Sequence, residues 1–119
     1  MHELSICRSI YTIVERARAG RAVAAVHLEV GALRQVVPAT LEHCWLLLTE
    51  QTPLAGSRLA ATTVPIELRC ASCCATTPAP DRLMLVCRRC GSGRVTVVRG
   101  EELIVTTMDV REESEPAYG

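Results

Sequence analysis

The feature that most constrains the fold of this 119-residue chain is a segment with two C-x-x-C pairs. Cys70 pairs with Cys73, Cys87 pairs with Cys90, and 13 residues separate the two pairs. Each pair can form a tight turn that presents two thiolates to one ion, and two facing turns complete a tetrahedral four-sulfur site. Such a closed site leaves no position open for a substrate. We therefore predict a structural Zn(II) site at these four cysteines, with Gly91 allowing the second turn to form.

The chain contains 7 cysteines, an odd number, and its first residues lack the basic stretch and long apolar core of a signal peptide. A reducing compartment favours metal binding over a disulfide framework, so we expect a cytoplasmic protein. Cys74 leaves a C-x-x-x-C alternative open for the first pair. The two-residue spacing favours Cys73 as the ligand and makes Cys74 a spare thiol. We expect Cys7 and Cys44 to behave as small core residues.

Composition predicts a folded globular chain, with 49% hydrophobic and 22% charged residues. No apolar run approaches the roughly 18–20 residues that span a bilayer, so we expect no membrane partner. The sequence contains no Ser/His/Asp set, phosphate loop or paired-carboxylate cleft. We therefore predict that the protein is not an enzyme.

Hydrophobic periodicity predicts an α+β fold: two helices packed on a small three-stranded sheet, with an inserted four-cysteine zinc-ribbon module. Pro65 suggests an edge or a bulge within the second strand. The predicted helices are residues 4–19 and the segment from Pro38 to about residue 53, and the predicted strands are residues 22–31, 58–69 and 102–110. Within the module we expect a loop at residues 76–80 and a returning strand at 83–86. The predicted domains are residues 1–68 with 101–112, residues 69–100, and a flexible tail at 113–119.

The charge distribution sets the cysteine segment apart from its flanks. Residues 57–100 hold seven arginines against only Glu67 and Asp81, whereas the whole chain has a formal net charge of +0. A basic zinc ribbon is compatible with nucleic-acid binding. However, residues 70–98 contain no aromatic side chain on which a base could stack. A nucleic-acid-binding or scaffold protein stays open as the alternative.

The chain starts with Met1-His2-Glu3, which can chelate a metal ion. The free amine and the His2 amide nitrogen close a five-membered ring, the amide and the imidazole close a six-membered ring, and Glu3 can supply a fourth donor. A square-planar, nitrogen-rich set suits Ni(II) or Cu(II). The residues alone leave a second interpretation open, because an N-terminal histidine is usually idle on the surface.

Other polar and aromatic candidates have simpler explanations. We expect His27 to be a surface histidine of the first strand. His43 and Cys44 are neighbours on a helix and point about 100° apart, so they do not suit one ion. Trp45 is expected in the core, and Glu101 and Glu102 are expected to be solvent-facing charges rather than catalytic groups.

Together, four stretches of the chain resemble one known family. They are "MHELS" at the N-terminus, V-x-L-E-V-G at residues 26–31, the paired cysteines ending in "CRRCGS", and "GEELIV" at residues 100–105. Over approximately residues 1–110, the chain is similar to the HypA/HybF-type hydrogenase maturation nickel metallochaperones. The first pair departs from the pattern, because Cys74 stands where a non-cysteine residue is expected.

The resemblance implies that the protein binds Ni(II) at its N-terminus and delivers it to [NiFe] hydrogenase, and in some organisms to urease. Met1 would supply the amine, His2 the imidazole and amide, and Glu3 an amide donor or a support. The domain of residues 1–68 and 101–112 would bind nickel, and residues 69–100 would form the zinc ribbon. The implied partners are a HypB-type GTPase and the [NiFe] hydrogenase large subunit precursor. We expect no nucleic-acid partner and a monomer or weak dimer.

Overall fold

The computed structural model describes residues 2–111, and for His2 the backbone only. No helix in this part of the chain is both long and apolar enough to cross a membrane. The elements in chain order are α1 His2–Ala17, β1 Val23–Gly31, a 3-10 helix Ala32–Arg34, α2 Pro38–Thr49, β2 Arg58–Val64, β3 Glu67–Cys70, β4 Thr76–Pro78, β5 Val95–Arg99 and β6 Leu103–Val110.

The first sheet has three strands in the order β2-β1-β6, and α1 packs against α2. The apolar face of α1 centres on Cys7, Ile10 and Val14, which are buried at helical spacing, whereas Ile13 is exposed. Trp45 of α2 is completely buried, and its indole N–H donates a 3.0 Å hydrogen bond to the Ser57 hydroxyl. The predicted α+β fold, with its two helices and three-stranded sheet, is confirmed.

The prediction of one strand over residues 58–69 is wrong. The segment forms β2 and β3, which belong to different sheets. Pro65 lies between them and has no N–H to donate to a sheet, so the pairing partner changes there.

The second sheet, in the order β4-β3-β5, corrects two further predictions. Residues 76–78 were expected in a loop but form β4, which pairs antiparallel with β3. Residues 83–86 were expected to be a strand but lie in a turn and irregular chain. The partner on the other side of β3 is β5, which the sequence reading missed, and Leu68 stands opposite both Thr77 and Val97. Strand β5 is only five residues long, and each of its residues is half-buried or exposed, so its alternation of apolar and polar residues is weak.

The chain divides into two compact units. We call the first the helical unit; its described part is residues 2–28, Val37–Ala61 and residues 105–111. The second, the ribbon unit, consists of Glu29–Val36 and Thr62–Ile104. Strands β1, β2 and β6 contribute residues to both units. The predicted domain limits stay a prediction, and the predicted tail at 113–119 lies outside the described residues.

The ribbon unit has a small core. Ile66, Leu68 and Ala79 are buried together, and the partly buried residues packed on them are Ala32, Leu33, Leu85, Val95 and Val97. A core of this size stabilises a fold only weakly, which is the situation in which bound metal or disulfides usually contribute.

A close backbone approach within the ribbon unit requires glycine. The N–H of Gly31 donates to the Glu102 carbonyl over 2.7 Å, and the N–H of Leu33 donates to the Gly100 carbonyl over 2.8 Å. A Cβ on Gly31 would overlap the backbone of Gly100 and Glu101. Gly100 itself has a φ of +116°, and its Cβ would lie 2.9 Å from Ile66 Cα.

We predict that Gly31→Ala destabilises the protein by about 3 kcal/mol, because the overlap is with backbone that cannot move aside. Gly31 has a φ of −67°, so the cost is purely steric. Urea unfolding followed by circular dichroism measures it. The matched control is Gly93→Ala, where no atom lies within 4 Å of the added methyl group. Equal unfolding midpoints for the two variants would contradict the close approach.

Candidate metal centre

Four cysteine sulfurs of the ribbon unit lie together. Cys70 Sγ is 3.6 Å from Cys90 Sγ, and Cys73 Sγ is 3.7 Å from Cys87 Sγ. All four sulfurs lie within 4.8 Å of one another. A tetrahedral zinc site with Zn–S bonds of about 2.3 Å requires sulfur separations of about 3.8 Å. The cluster therefore fits a single tetrahedral ion.

The first cysteine pair is held by a turn that begins where β3 ends. The backbone N–H groups of Ser72 and Cys73 donate to Cys70 Sγ over 3.3 and 3.4 Å. The turn closes through the N–H of Cys74, which donates to the Cys70 carbonyl over 3.0 Å. The N–H groups of Ser72 and Cys73 point at the sulfur of Cys70 and stabilise its thiolate form.

The second cysteine pair repeats this turn. The N–H of Arg89 donates to Cys87 Sγ over 3.4 Å, and the N–H of Gly91 donates to the Cys87 carbonyl over 2.8 Å. A direct link joins the two turns, because the hydroxyls of Ser72 and Ser92 are 3.0 Å apart. The sequence reading missed this serine pair. The one sign of this pair in the sequence is that each serine lies within two residues of a cysteine.

The thiol pKa values follow from the turn geometry. The backbone N–H groups of Cys90 and Arg89 lower the pKa of Cys87 to about 6. The N–H groups of Cys73 and Ser72 lower the pKa of Cys70 in the same way. The first cysteine of each pair therefore favours the thiolate, which is the form that binds metal.

Cys74 is exposed and stands outside the four-sulfur cluster. It occupies the same place in the first turn as Gly91 does in the second, four residues after the leading cysteine. Both residues have left-handed backbone conformations, with φ values of +63° for Cys74 and +79° for Gly91. A glycine adopts this conformation freely, whereas a cysteine does so at a cost.

The predicted N-terminal site is described only in part. Met1 and the side chain of His2 lie outside the described residues, and Glu3 is half-buried in the first turn of α1. An acidic side chain at this end of a helix is favoured by the helix dipole.

The remaining candidates are placed as follows. Cys7 is fully buried, and burial, with the neighbouring Cys44 and Glu3, raises its pKa to about 11, so it is an inert core thiol. Cys44 is half-buried and His43 is exposed on α2. His27 Nε2 lies 3.0 Å from Asp109 Oδ2, a pair that the sequence reading did not foresee.

The two glutamates after Gly100 differ in their surroundings. Glu102 accepts a 2.8 Å hydrogen bond from the Gly100 N–H, and this bond lowers its pKa. The side chain of Glu101 is exposed.

The fold and the four-sulfur cluster define the class of protein: a small α+β protein with a zinc-ribbon-like module. The family model described as "Hydrogenase/urease nickel incorporation, metallochaperone, hypA" matches residues 1–110. The hydrogenase maturation factor HypA of Geobacter metallireducens is 41% identical over 110 residues, covering 92% of this chain and 99% of that protein. The HypA of Chloroflexus aurantiacus is 37% identical, with 92% and 98% covered.

Two solved structures share the fold. "Solution structure of HypA protein" superposes with a TM-score of 0.70 at 19% identity, covering 95% of this chain and 98% of that one. "Solution structure of the Ni metallochaperone HypA from Helicobacter pylori" superposes with a TM-score of 0.66 at 17% identity, covering 93% and 98%. The chain belongs to the HypA family of nickel metallochaperones for hydrogenase and urease maturation. The predicted resemblance and the prediction of a non-enzymatic maturation factor are confirmed.

We predict that Cys74→Gly stabilises the metal-loaded protein by about 1 kcal/mol, because glycine removes the cost of the left-handed conformation. The reciprocal control, Gly91→Cys, is expected to destabilise it by a similar amount. Urea unfolding with bound metal measures both. Metal content should remain unchanged in Cys74→Gly. Loss of metal from that variant would mean that Cys74 is a ligand.

Proposed function

We propose that the chain carries Ni(II) at its N-terminus, using the Met1 amine, the His2 amide and imidazole, and an amide or carboxylate of Glu3. The supporting observation is that α1 begins at His2. The first N–H groups of a helix have no intrahelical acceptor. The amides of His2 and Glu3 can therefore lose their protons to a metal ion without breaking a helical hydrogen bond.

Nickel is the cargo in this proposal, so its site must also release it. Four donors from three consecutive residues at a chain end fill the square plane and leave the two axial faces of the ion open to an incoming ligand. The acceptor protein can then replace the donors one at a time. The hand-over by ligand exchange follows from this arrangement.

Zinc is the ion that we propose for Cys70, Cys73, Cys87 and Cys90. Four thiolates in a tetrahedral arrangement suit Zn(II), whereas the nitrogen-rich terminus suits Ni(II). A zinc ion bound by four sulfurs has no open coordination position. Its role is therefore to stabilise the ribbon unit and its small apolar core.

The proposed partners are a HypB-type GTPase and the [NiFe] hydrogenase large subunit precursor, in the cytoplasm. The curated relatives are named as hydrogenase maturation factors, which favours hydrogenase over urease as the enzyme served. The domain that binds nickel is proposed to comprise residues 1–68 and 101–112, and the zinc ribbon residues 69–100.

We predict that His2→Ala lowers nickel affinity at least 100-fold, because the imidazole and its chelate ring are lost. Adding one residue before Met1 should have a similar effect, because it converts the amine into an amide. Calorimetric titration of untagged protein with Ni(II) measures both changes. His43→Ala is the control, since His43 is exposed on α2, and it should bind nickel like the wild type.

The same titration at several pH values gives a second test of the terminus. The amine, amide and imidazole must all lose protons to bind, so nickel affinity should fall steadily from pH 8 to pH 6. Nickel affinity that does not change over this range, or that survives N-terminal extension, would place the site elsewhere.

We predict one zinc ion per chain and its loss in Cys87→Ser. Removing zinc should unfold the ribbon unit and leave the fluorescence of the buried Trp45, in the helical unit, unchanged. Zinc should also be released as the pH falls, because protons compete for the four thiolates. Metal analysis and circular dichroism measure these effects. Cys44→Ser is the control, and full zinc content in Cys87→Ser would contradict the assignment.

A further inference from the structure

Three arginines of the helical unit lie at one end of the first sheet. The N–H of Arg111 donates to the Ala22 carbonyl over 2.8 Å, which places Arg111 beside the residue that follows Arg21. The Arg111 guanidinium Nη2 donates to the Gly56 carbonyl over 3.3 Å, and Gly56 lies two residues before Arg58, the first residue of β2. We call Arg21, Arg58 and Arg111 the arginine cluster.

The glycine at the start of β2 also marks the position of the Arg111 side chain. Gly56 has a φ of +88°, and a Cβ built on it would lie 3.7 Å from Arg111 Nη2. The guanidinium of Arg111 therefore lies directly against the turn that leads into β2, while its backbone lies against the chain that leads into β1.

The arginine cluster carries three positive charges that no described carboxylate neutralises. All three residues are exposed, and none forms an ion pair with a side chain in the described part of the chain. Arg21 donates to the carbonyls of Arg18 and Ala17 over 2.9 and 3.4 Å. Carbonyls occupy some of the five N–H donors of a guanidinium, but they leave its charge in place. Donors and positive charge therefore remain for an anionic group.

The matching charge is carried by the residues that directly follow Arg111. Residues 112–115 have the sequence EESE, which supplies three glutamates, Glu112, Glu113 and Glu115; this segment lies outside the described residues. An extended chain spans about 3.3–3.6 Å per residue, so Glu115 Cα lies at most about 14 Å from Arg111 Cα. A tether this short gives the carboxylates a high effective concentration at the arginine cluster.

We propose that residues 112–115 dock on the arginine cluster and cover this end of the first sheet. Three carboxylates then face three guanidinium groups, which can bind carboxylates through two parallel hydrogen bonds. Composition alone predicts a flexible tail at 113–119, and the proposal replaces that prediction for the acidic part. The cluster is thereby closed to other anions, such as an acidic peptide or a nucleic acid, unless the segment is displaced.

The test measures the thermal midpoint of the full-length, untagged, zinc-loaded chain, followed by the fluorescence of the buried Trp45 in the helical unit. The test variant is Glu112→Gln with Glu113→Gln. The matched control is Glu50→Gln with Glu101→Gln, because both residues are exposed and form no ion pair with a described side chain. At about 0.05 M salt we expect the test variant to unfold about 3 °C below the wild type, and the control within about 1 °C of it.

Raising the salt to about 0.5 M should remove the difference between wild type and test variant, because added salt screens exposed ion pairs. A double-mutant cycle then tests the arginines. Arg58→Gln should lower the midpoint of the wild type and have a smaller effect in the test variant, whose carboxylates are already neutral. The control is Arg8→Gln, which should act equally in both, because Arg8 is exposed and lies about 13 Å before Ala17 along α1.

Several outcomes would overturn the proposal. They are equal midpoints of wild type and test variant at low salt, an equal loss in the control, a difference that survives high salt, and additive effects of Arg58→Gln and the test variant. A difference that disappears when the protein is diluted would mean that the acidic segment binds a second copy, which also contradicts docking on its own chain.

Discussion

The ribbon unit depends on the meeting of four sulfurs. Cys70 ends the strand β3 and Cys87 directly follows the irregular segment of residues 83–86, so the cluster joins two segments that share only a small apolar core. Without a positive ion, four sulfurs within 4.8 Å would repel one another as thiolates. One Zn(II) would convert that repulsion into the main force that holds β3 and this segment together. Backbone N–H groups lower the pKa values of Cys70 and Cys87 and so favour the thiolate at the first cysteine of each pair.

The two cysteine turns are nearly the same structure built from different residues. Their hydrogen bonds match, and the residue after each pair has a positive φ. Gly91 meets this requirement without strain, whereas Cys74 meets it at a cost, which gives the departure from the family pattern a physical meaning. Cys74 changes the cost of a turn, while the four-sulfur cluster is complete without it. Cys74 therefore bears on the stability of the ribbon unit rather than on the choice of metal.

In the proposed function, zinc and nickel place different requirements on the chain. Zinc would be held by four soft donors from distant positions, so its release would require the ribbon unit to open. Nickel would be held by donors of the first residues, which could be exchanged without unfolding any element. Stable zinc would then keep the ribbon unit folded, and labile nickel would serve delivery.

Local sequence patterns determined the features that depend on neighbouring residues: the C-x-x-C pairs, the two helices, the strand β1 and the family resemblance. They also indicated an edge or a bulge at Pro65, because a missing N–H is a property of that residue alone. Only the tertiary structure decided that the chain passes from one sheet to the other at Pro65, that the short segment Val95–Arg99 is the second partner of β3, and that residues 83–86 form no strand. These outcomes depend on which distant segments pair and on whether an apolar side chain finds a buried position. Leu85 and Leu83 are the same residue type two positions apart, and only the cluster around Leu68 decides that one is anchored and the other exposed.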